Sequence, residues 1–334
     1  MATHFFGLKD RTFYHSHAVG RNEFAGTGFR NPVDMAIAPD GSVYVANRSY
    51  ENRPDGVHMT VFTLDEEYIS EFSAFGEADG EMTWPTSVAL DSNGDVYVSD
   101  EYLNRITKFN RDGEFLSKWG TAGSGDGELN GPSGIAIDSK DNMVIVDSKN
   151  NRVQKFTSDG KFISKFGSAG SGDGQFNLPW GIALDKNDNI YIADWRNDRI
   201  QVFNTDGEWQ QSIGSTGDGI GQFNRPNGLC VDGDGDIYVA DWMNNRVQVF
   251  APDGRFVTQF FGDAALSKWG KDKLNSNPDM IRQRNIAFVN DPNYEKKFAH
   301  PCGVKIDPQG RVAIIDHTRG RIQVYIKEDE PVLR

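Results

Sequence analysis

The sequence has little of what a disulfide-stabilised or membrane-spanning protein needs. Its 334 residues include only two cysteines, Cys230 and Cys302, which is too few for a disulfide framework. No apolar run approaches the roughly 18 residues of a membrane-spanning helix. Residues 1–30 also lack the long apolar core of a signal peptide. We therefore expect a cytoplasmic protein that does not insert into membranes.

Positive charge is scarce as well. Lys and Arg total 35 against 48 Asp and Glu, which gives a net charge of −13 and a pI of about 4.9. Nucleic acids and anionic membranes bind cationic surfaces, so neither is expected as a partner. The sequence also lacks a phosphate-binding Gly motif, a Gly-x-Ser-x-Gly elbow and a Cys-x-x-Cys pair. The DGDGD run at 232–236 lacks the twelfth-position glutamate of a calcium loop, and we interpret it as a hairpin turn.

What the sequence does contain is a repeat of about 47 residues. Each copy opens with a proline, and successive copies start 53, 47, 47, 47 and 75 residues apart, at Pro32, Pro85, Pro132, Pro179, Pro226 and Pro301. A fixed period of this length is typical of a solenoid or a propeller. The content of one copy decides between the two.

The copy that opens at Pro179 reads as four short strands. The segments 181–185, 190–194, 199–203 and 209–213 are apolar or alternate apolar with polar residues, and Asn, Asp and Gly turn residues separate them. Such a meander cannot bury both of its faces alone, so copies must pack around an axis. Six copies predict an all-β fold, a six-bladed β-propeller that uses residues 1–334 as one domain.

Two irregular segments have assigned places in this prediction. The sixth copy ends after three strands, so we expect the N-terminal strand at 12–19 to complete the last blade and close the ring. Closure of this kind removes an exposed sheet edge. The fifth copy is 28 residues longer than the usual 47, and the insertion at 263–300 is expected to cover the channel mouth as a lid or binding loop.

Comparison among the copies separates residues that serve the frame from residues that could serve a site. An Asp at the end of strand two and an Arg in the following turn recur in five copies, which indicates a scaffold role. The departures from the template fall in the first, second and sixth copies, which are consecutive in a closed ring. They predict a polar arc at the channel mouth formed by Asp34, Arg48, Tyr50, Ser87, Glu101, Tyr102, His300 and His317.

Aromatic residues of the remaining copies are expected on the opposite side of the mouth. With the polar arc they would form a small-molecule pocket, in which polar groups orient the ligand and rings supply apolar area. The candidate catalytic residues are Arg48, Glu101, Tyr102, His300 and His317. The candidate substrate-binding residues are Asp34, Tyr50, Ser87, Trp180, Trp195, Asn227 and Trp242.

A metal at the mouth is a separate hypothesis. His58, His300 and His317 come from adjoining copies, and three imidazoles with one open position is a catalytic metal arrangement. Such a site would hold a divalent ion, zinc or calcium, in the central channel. The alternative is that each histidine is solvated or hydrogen-bonded and that the Tyr, Glu and Arg groups act without a metal.

The repeat PSGIAID, with turns VDSKNNRV, ADWRNDRI and ADWMNNRV, resembles the NHL repeat family over essentially the whole chain. The resemblance implies a six-bladed propeller, whose functions range over enzymes, RNA-binding modules and protein-interaction platforms. The chain is also similar to peptidyl-α-hydroxyglycine amidating lyases, which share this propeller. That family places zinc-binding histidines directly after the blade-opening prolines, whereas these positions here are Val33, Thr86, Ser133, Trp180, Asn227 and Cys302. The family's metal site is therefore not carried over, although Arg48 and Tyr102 resemble its polar residues.

Two functions of different class remain open. The first is an enzyme of lyase or hydrolase type acting on a small organic substrate at the mouth. Arg48 would orient an anionic or carbonyl group, Tyr102 or Glu101 would transfer a proton, and His300 and His317 would be acid/base groups or metal ligands. The second is a non-catalytic NHL propeller that binds a ligand or a protein through the same mouth. The sequence favours the first because the titratable groups cluster in three adjacent copies.

Overall fold

The structure is a computed structural model, and it describes residues 11–23, 25–49, 53–276, 279, 281–282 and 295–328. Within these residues the strands form six antiparallel sheets of four strands each, which confirms the predicted six-bladed β-propeller. Blades 1 to 3 comprise Pro32–Ile37, Ser42–Asn47, His58–Thr63 and Tyr68–Phe72; Pro85–Leu90, Val96–Asp100, Arg105–Phe109 and Phe115–Trp119; Pro132–Ile137, Met143–Asp147, Arg152–Phe156 and Phe162–Phe166. Blades 4 to 6 comprise Ile182–Leu184, Ile190–Asp194, Arg199–Phe203 and Trp209–Ile213; Pro226–Val231, Ile237–Asp241, Arg246–Phe250 and Phe256–Phe260; Pro301–Ile306, Arg311–Asp316, Arg321–Glu328 and Thr12–Val19.

The outer strand of blade 6 comes from the start of the chain. Thr12–Val19 pairs antiparallel with Arg321–Glu328, from Thr12 opposite Glu328 to Val19 opposite Ile322. Ion pairs also tie this edge to blade 5, because Lys327 Nζ lies 2.6 Å from Asp232 Oδ2 and Arg11 pairs with Asp236. The two ends of the described chain therefore share one sheet, as a ring requires.

The core lies between blades, where each seam buries a repeated aromatic residue. The third strands of blades 1 to 5 carry a phenylalanine at or next to their last residue, each 1% exposed or less: Phe62, Phe109, Phe156, Phe203 and Phe250. An apolar side chain of the linker packs against this ring; Phe176, for example, lies 5.5 Å from Phe203 between ring centroids. Burial of such rings from both neighbouring sheets is the main apolar contribution to the stability of the wheel.

In blades 3 to 6, a side-chain carboxylate at the end of the second strand fixes the linker that enters the blade. In blade 4, Asp194 Oδ1 accepts the backbone N–H of Asn177 (2.8 Å), and Oδ2 accepts Arg199 Nε (3.0 Å). The next linker N–H, that of Leu178, donates to Asn151 Oδ1 of blade 3 (2.7 Å). The same contacts recur in blades 3, 5 and 6. This confirms the scaffold role predicted for the repeated Asp and Arg.

The described part of the insertion packs at the outer seam between blades 6 and 1. The helix Lys268–Asn275 begins at Ser267, whose Oγ accepts the N–H of Gly270 and donates to Gly20 O (2.6 Å). Trp269 is 5% exposed, lies 6.1 Å from Phe62 between ring centroids, and donates to the carbonyl of Glu66. A lid over the mouth stays a prediction, since residues 277–278, 280 and 283–294 lie outside the described part.

Further short elements complete the connections. The single-turn 3-10 helices are Pro54–Gly56, Ser148–Asn150, Trp242–Asn244 and His317–Arg319. Two linkers contain parallel pairs, Ser168–Ala169 with Gln175–Phe176 and Ser215–Thr216 with Gln222–Phe223. In the part of the chain that the structure describes, no helix has the length and apolar character needed to cross a bilayer.

Replacing Trp269 with alanine tests whether the insertion stabilises the closed ring. The substitution removes a buried ring and its hydrogen bond to Glu66, so we expect a loss of about 3–5 kcal/mol in the free energy of unfolding. Urea unfolding followed by tryptophan fluorescence and circular dichroism measures the change. The matched control is Ile220→Ala, at a side chain 64% exposed, which should shift stability by less than about 0.5 kcal/mol. An equal, small effect of both variants would contradict this role.

Candidate functional site

The central channel has three compartments along its axis. The upper mouth is a cavity of about 280 Å³ lined by Asn31, Val33, Arg48, Ser49, Trp180, Asn227, Trp242, Cys302 and His317. A neck of about 20 Å³ follows, and then a lower vestibule of about 310 Å³. A neck of that volume holds about one water molecule, so the mouth and the vestibule are separate spaces. The mouth brings together five of the residues that the sequence predicts there: Arg48, Trp180, Asn227, Trp242 and His317.

One position of the repeat forms a ring on the upper face, and three of its six residues, Arg48, Trp242 and His317, line the mouth. It is the residue directly after the last residue of strand two, where the chain turns toward the third strand on the upper face. Around the wheel this position is occupied by Arg48, Glu101, Ser148, Trp195, Trp242 and His317. Because the backbone here is held by the scaffold contacts, side chains can vary at this ring without loss of the frame.

Arg48 is fixed at the mouth by a carboxylate and an aromatic ring. Its NH1 lies 3.1 Å from Glu101 Oε2, and its guanidinium carbon lies 4.7 Å from the centroid of the Trp84 ring. The other carboxylate oxygen of Glu101 lies 3.3 Å from Lys149 Nζ. With both oxygens of Glu101 in ion pairs, the structure favours a positioning role for this residue over the proton transfer that the sequence suggested.

His317 presents a neutral imidazole to the mouth. Its Nδ1 lies 2.9 Å from the carbonyl oxygen of Pro32, so Nδ1 carries the proton and Nε2 is left as an acceptor. Its ring packs against Trp242 at 5.1 Å between centroids. Burial, with smaller contributions from the charges of His300 and Arg48, lowers the pKa of His317 to about 4. At neutral pH His317 is therefore an uncharged base.

His300 lies at the rim, where its backbone belongs to the frame. Its N–H donates to Asn245 Oδ1 (2.8 Å) and its φ is 58°, as at the equivalent Arg225. The imidazole stacks on Trp242 at 5.1 Å with an interplanar angle of 22°, and Nδ1 lies 3.0 Å from Thr318 Oγ1. His300 therefore contacts Trp242, which lines the mouth, but is not itself part of the lining.

His58 lies away from the mouth, in contrast to the three-histidine hypothesis. In blade 1, His58 pairs with Asn47 at the position where Arg152 pairs with Asp147 in blade 3. Blade 1 therefore has two neutral residues in place of the buried ion pair. The His58 imidazole is buried, its pKa is lowered by that burial, and it lines a separate cleft beside Glu71. Among the described residues, no three His, Cys, Asp or Glu side chains are grouped as a metal site. The geometry therefore corrects the proposed ligand set of His58, His300 and His317.

Four of the predicted substrate-binding residues line the neck; Trp180 and Asn227 also line the mouth, whereas Asp34 and Ser87 do not. Asp34 Oδ2 accepts Ser87 Oγ (2.5 Å) and the N–H of Val88 (3.2 Å). Asp34 Oδ1 lies 3.6 Å from Lys305 Nζ, a residue that the sequence comparison missed. Ser87 is 4% exposed, and its Oγ accepts the N–H of Ile135. These contacts place Asp34 and Ser87 below the mouth, where their side chains narrow the channel at the neck.

The remaining predicted residues occupy the rim or lie outside the described part. Tyr102 is 54% exposed, and its ring lies 5.5 Å from Trp84 rather than in the wall of the mouth. Trp195 carries the guanidinium of Arg225 at 4.9 Å from its ring centroid and also does not line the mouth. Tyr50 lies outside the described residues.

Sequence comparison overlooked several residues of the site. Trp84 supports Arg48, Lys149 pairs with Glu101, and Asn31, Ser49 and Cys302 line the mouth. One signal was available for Trp84, since it precedes a blade-opening proline where the other copies have Asn31, Gly131, Leu178, Arg225 and His300. Its contact with Arg48 joins two neighbouring blades and depends on how they pack, which no local pattern reports.

Comparisons with known proteins agree with the propeller architecture. A model of the NHL repeat matches residues 176–203 and 223–250, and a model described as a 6-bladed beta-propeller matches residues 85–156. None of the curated proteins matches the chain.

Similar solved structures share the fold at low sequence identity. A protein of unknown function from Bacteroides thetaiotaomicron has a TM-score of 0.64 at 18% identity, over 95% of this chain and 76% of that one. A streptogramin B lyase has a TM-score of 0.58 at 13% identity, over 95% and 98%. A catalytically inactive histidine-to-alanine variant of virginiamycin B lyase from Staphylococcus aureus, crystallised with quinupristin, has a TM-score of 0.56 at 12% identity, over 95% and 99%.

An NMR titration of the histidine rings tests the electrostatics of the mouth. We expect His317, assigned by loss of its signal in His317→Asn, to titrate at about pH 4 rather than at its ordinary value of 6.5. Trp242→Ala should move the pKa back toward 6.5, because the ring then gains solvent. Since the folded-state value is the lower one, His317 also makes the protein less stable as the pH falls from 6.5 to 4. Titration of His317 near pH 6.5 in the unaltered protein would refute the burial of this ring.

Proposed function

Because this chain is a six-bladed β-propeller that contains NHL repeats, we propose that its upper mouth is the active site of a lyase acting on a small organic substrate. The observation that carries the proposal is that a neutral base, His317, and a fixed cation, Arg48, line one cavity of about 280 Å³. Trp180 and Trp242 provide the apolar walls of the same cavity and Asn227 a polar one. This combination suits a ligand that has both an oxygen-bearing group and an apolar body.

We assign to Arg48 the binding of the substrate's carboxylate or carbonyl oxygen. Within the described residues its hydrogen bond to a protein side chain is the one from NH1 to Glu101, which leaves further guanidinium N–H groups for a ligand. Glu101 and Trp84 hold the guanidinium in place before substrate arrives, so little ordering is needed on binding. A cation at this position stabilises negative charge that develops on the oxygen during reaction.

His317 is assigned the proton transfer. With Nδ1–H bonded to Pro32 O, Nε2 has a free lone pair that accepts a proton from the carbon next to the oxygen-bearing group. The electron pair of that C–H bond forms a carbon–carbon double bond as the bond from the adjacent carbon to its leaving group breaks. The leaving group departs with the electron pair of the bond that had joined it to that carbon, and the imidazolium returns its proton to it or to solvent. No cofactor is needed to balance this elimination.

A hydrolase that uses a covalent intermediate is less well supported. The cysteine of the mouth, Cys302, is 3% exposed, and its Sγ contacts the carbonyls of Pro32 (3.2 Å) and Val33 (3.3 Å). Burial raises the pKa of the Cys302 thiol well above its ordinary value, which suppresses the nucleophilic thiolate. The similar solved structures include lyases, one of them as an inactive variant lacking a histidine, and this also supports elimination.

Turnover of candidate substrates by matched variants tests the assignment. A panel of small carboxylates, lactones and esters with a β-leaving group would be followed by ultraviolet absorbance of the new conjugated double bond. We expect His317→Asn to lower kcat by about 10²–10⁴-fold and Arg48→Met to raise KM as well as lower kcat. The control Arg111→Met changes an arginine whose side chain is 63% exposed and should leave both constants unchanged. Binding of panel compounds without turnover in any preparation would instead assign the mouth to a ligand-binding module.

The pH dependence of the reaction provides an independent test. The base must be neutral to act, so kcat/KM should hold from neutral pH down to about 4 and fall below it, following the pKa of His317 in the free protein. The acid limb of kcat should lie at higher pH, because an anion bound to Arg48 stabilises the imidazolium. Steady-state rates between pH 3.5 and 8 on a substrate with no titration in that range measure both limbs. An acid limb of kcat/KM near pH 6.5 would remove His317 as the base.

A further inference from the structure

Aliphatic side chains, together with Cys230 and Lys305, line the lower vestibule of the channel. The fourth residue after each blade-opening proline is Ala36, Ala89, Ala136, Ala183, Cys230 or Lys305, and the fifth is Ile37, Leu90, Ile137, Leu184, Val231 or Ile306. All twelve line this cavity of about 310 Å³, which is open to solvent at its lower end. The small residues at the fourth position leave room for the cavity, and the residues at the fifth position present aliphatic side chains to it. A cavity of this volume is in the range that binds small molecules.

Lys305 is the one charged residue among the described residues that line the vestibule. It stands where four other copies have alanine, so it departs from the template as Arg48 and His317 do at the mouth. Its side chain is 25% exposed, and its Nζ lies 3.6 Å from Asp34 Oδ1 in the neck. The other oxygen of Asp34 is occupied by Ser87 Oγ and the N–H of Val88. Within the part of the chain that the structure describes, the ammonium therefore has one long ion pair above it and aliphatic side chains below it.

Lysine has three N–H donors, and a single ion pair at 3.6 Å does not satisfy them. The unsatisfied donors lie at the boundary between the neck and the vestibule, since Lys305 lines both spaces. A ligand that reaches them from below must cross the apolar part of the channel. The arrangement is complementary to a molecule with an anionic end and an unbranched apolar chain.

We propose that the lower vestibule binds an aliphatic monocarboxylate, with its carboxylate on Lys305 and its chain along the alanine and aliphatic walls. A cationic amphiphile would meet the ammonium and be repelled. A neutral alcohol would gain the same apolar contacts without the ion pair. The neck separates this site from the mouth, so the proposal does not rest on the catalytic assignment of Arg48 and His317.

The chain-length dependence of binding follows from the apolar walls. Each methylene that enters the vestibule contributes the transfer energy of a buried CH₂, which corresponds to about a fourfold gain in affinity. Octanoate should therefore bind about sixteenfold more tightly than hexanoate. The gain should stop once the chain extends beyond the lower opening.

Isothermal titration calorimetry of the full-length protein with hexanoate, octanoate, octanol and octylammonium tests the site. We expect binding in the order octanoate, octanol, octylammonium. Lys305→Met should weaken octanoate at least tenfold while leaving octanol within about twofold, because only the ion pair is lost. Ala136→Phe fills the vestibule from blade 3, opposite blade 6, and should weaken both ligands. The control Lys161→Met, at a lysine whose side chain is 79% exposed, should have no effect.

Several results would overturn the proposal. One is the absence of octanoate binding to the unaltered protein at millimolar concentration. Another is unchanged octanoate affinity in folded Lys305→Met or in folded Ala136→Phe, checked by circular dichroism. The two substitutions lie on opposite sides of the vestibule and act independently. If one variant does not fold, the octanoate affinity of the other still tests the proposed site. Loss of octanoate binding in Arg48→Met but not in Lys305→Met would place the carboxylate at the upper mouth and would also contradict the proposal.

Discussion

In blades 3 to 6, the two consecutive backbone N–H groups that precede the blade-opening proline are held from two blades at once. At blade 5 the N–H of Asn224 donates to Asp241 of the same blade, and the N–H of Arg225 donates to Asp198 of blade 4. Asp241 is fully buried, so its charge requires partners, and Arg246 supplies one at 2.8 Å. In these four blades the clamp fixes where the inner strand starts, and therefore where its side chains point in the channel. The mouth, the neck and the vestibule all depend on it.

The clamp explains why frame and site are separable in this molecule. It engages backbone atoms of the linker together with side chains whose Asp and Arg recur, so the neighbouring positions are free to differ from blade to blade. His300 illustrates this, since its backbone repeats the geometry of Leu178 and Arg225 while its ring stacks on Trp242. A site can therefore use different side chains at one repeat position without a change in architecture.

Asymmetry around the ring gives the mouth its electrostatic character. Arg48 with Glu101 on one side and neutral His317 on the other place a cation and a base in one cavity. Burial keeps the imidazole neutral, and the charge of Arg48 acts in the same direction. The lower vestibule is asymmetric in the same way, because a single charged residue, Lys305, stands among its aliphatic side chains in the described part of the chain. The two ends of the channel therefore differ in chemistry although one repeat builds both.

The sequence by itself determined the architecture, because the hydrophobic alternation and turn residues of each copy are local and recur at a fixed spacing. It also identified Arg48, Trp180, Asn227, Trp242 and His317 for the mouth, since departure from a template is visible without coordinates. The tertiary structure decided which of these residues meet. It paired Arg48 with Trp84 of the next blade, moved His58 to a separate cleft by giving it the place of the scaffold arginine, and joined Lys305 to Asp34 across the ring closure. These contacts link residues far apart in the chain, so they depend on how the blades curve and close, which no local pattern encodes.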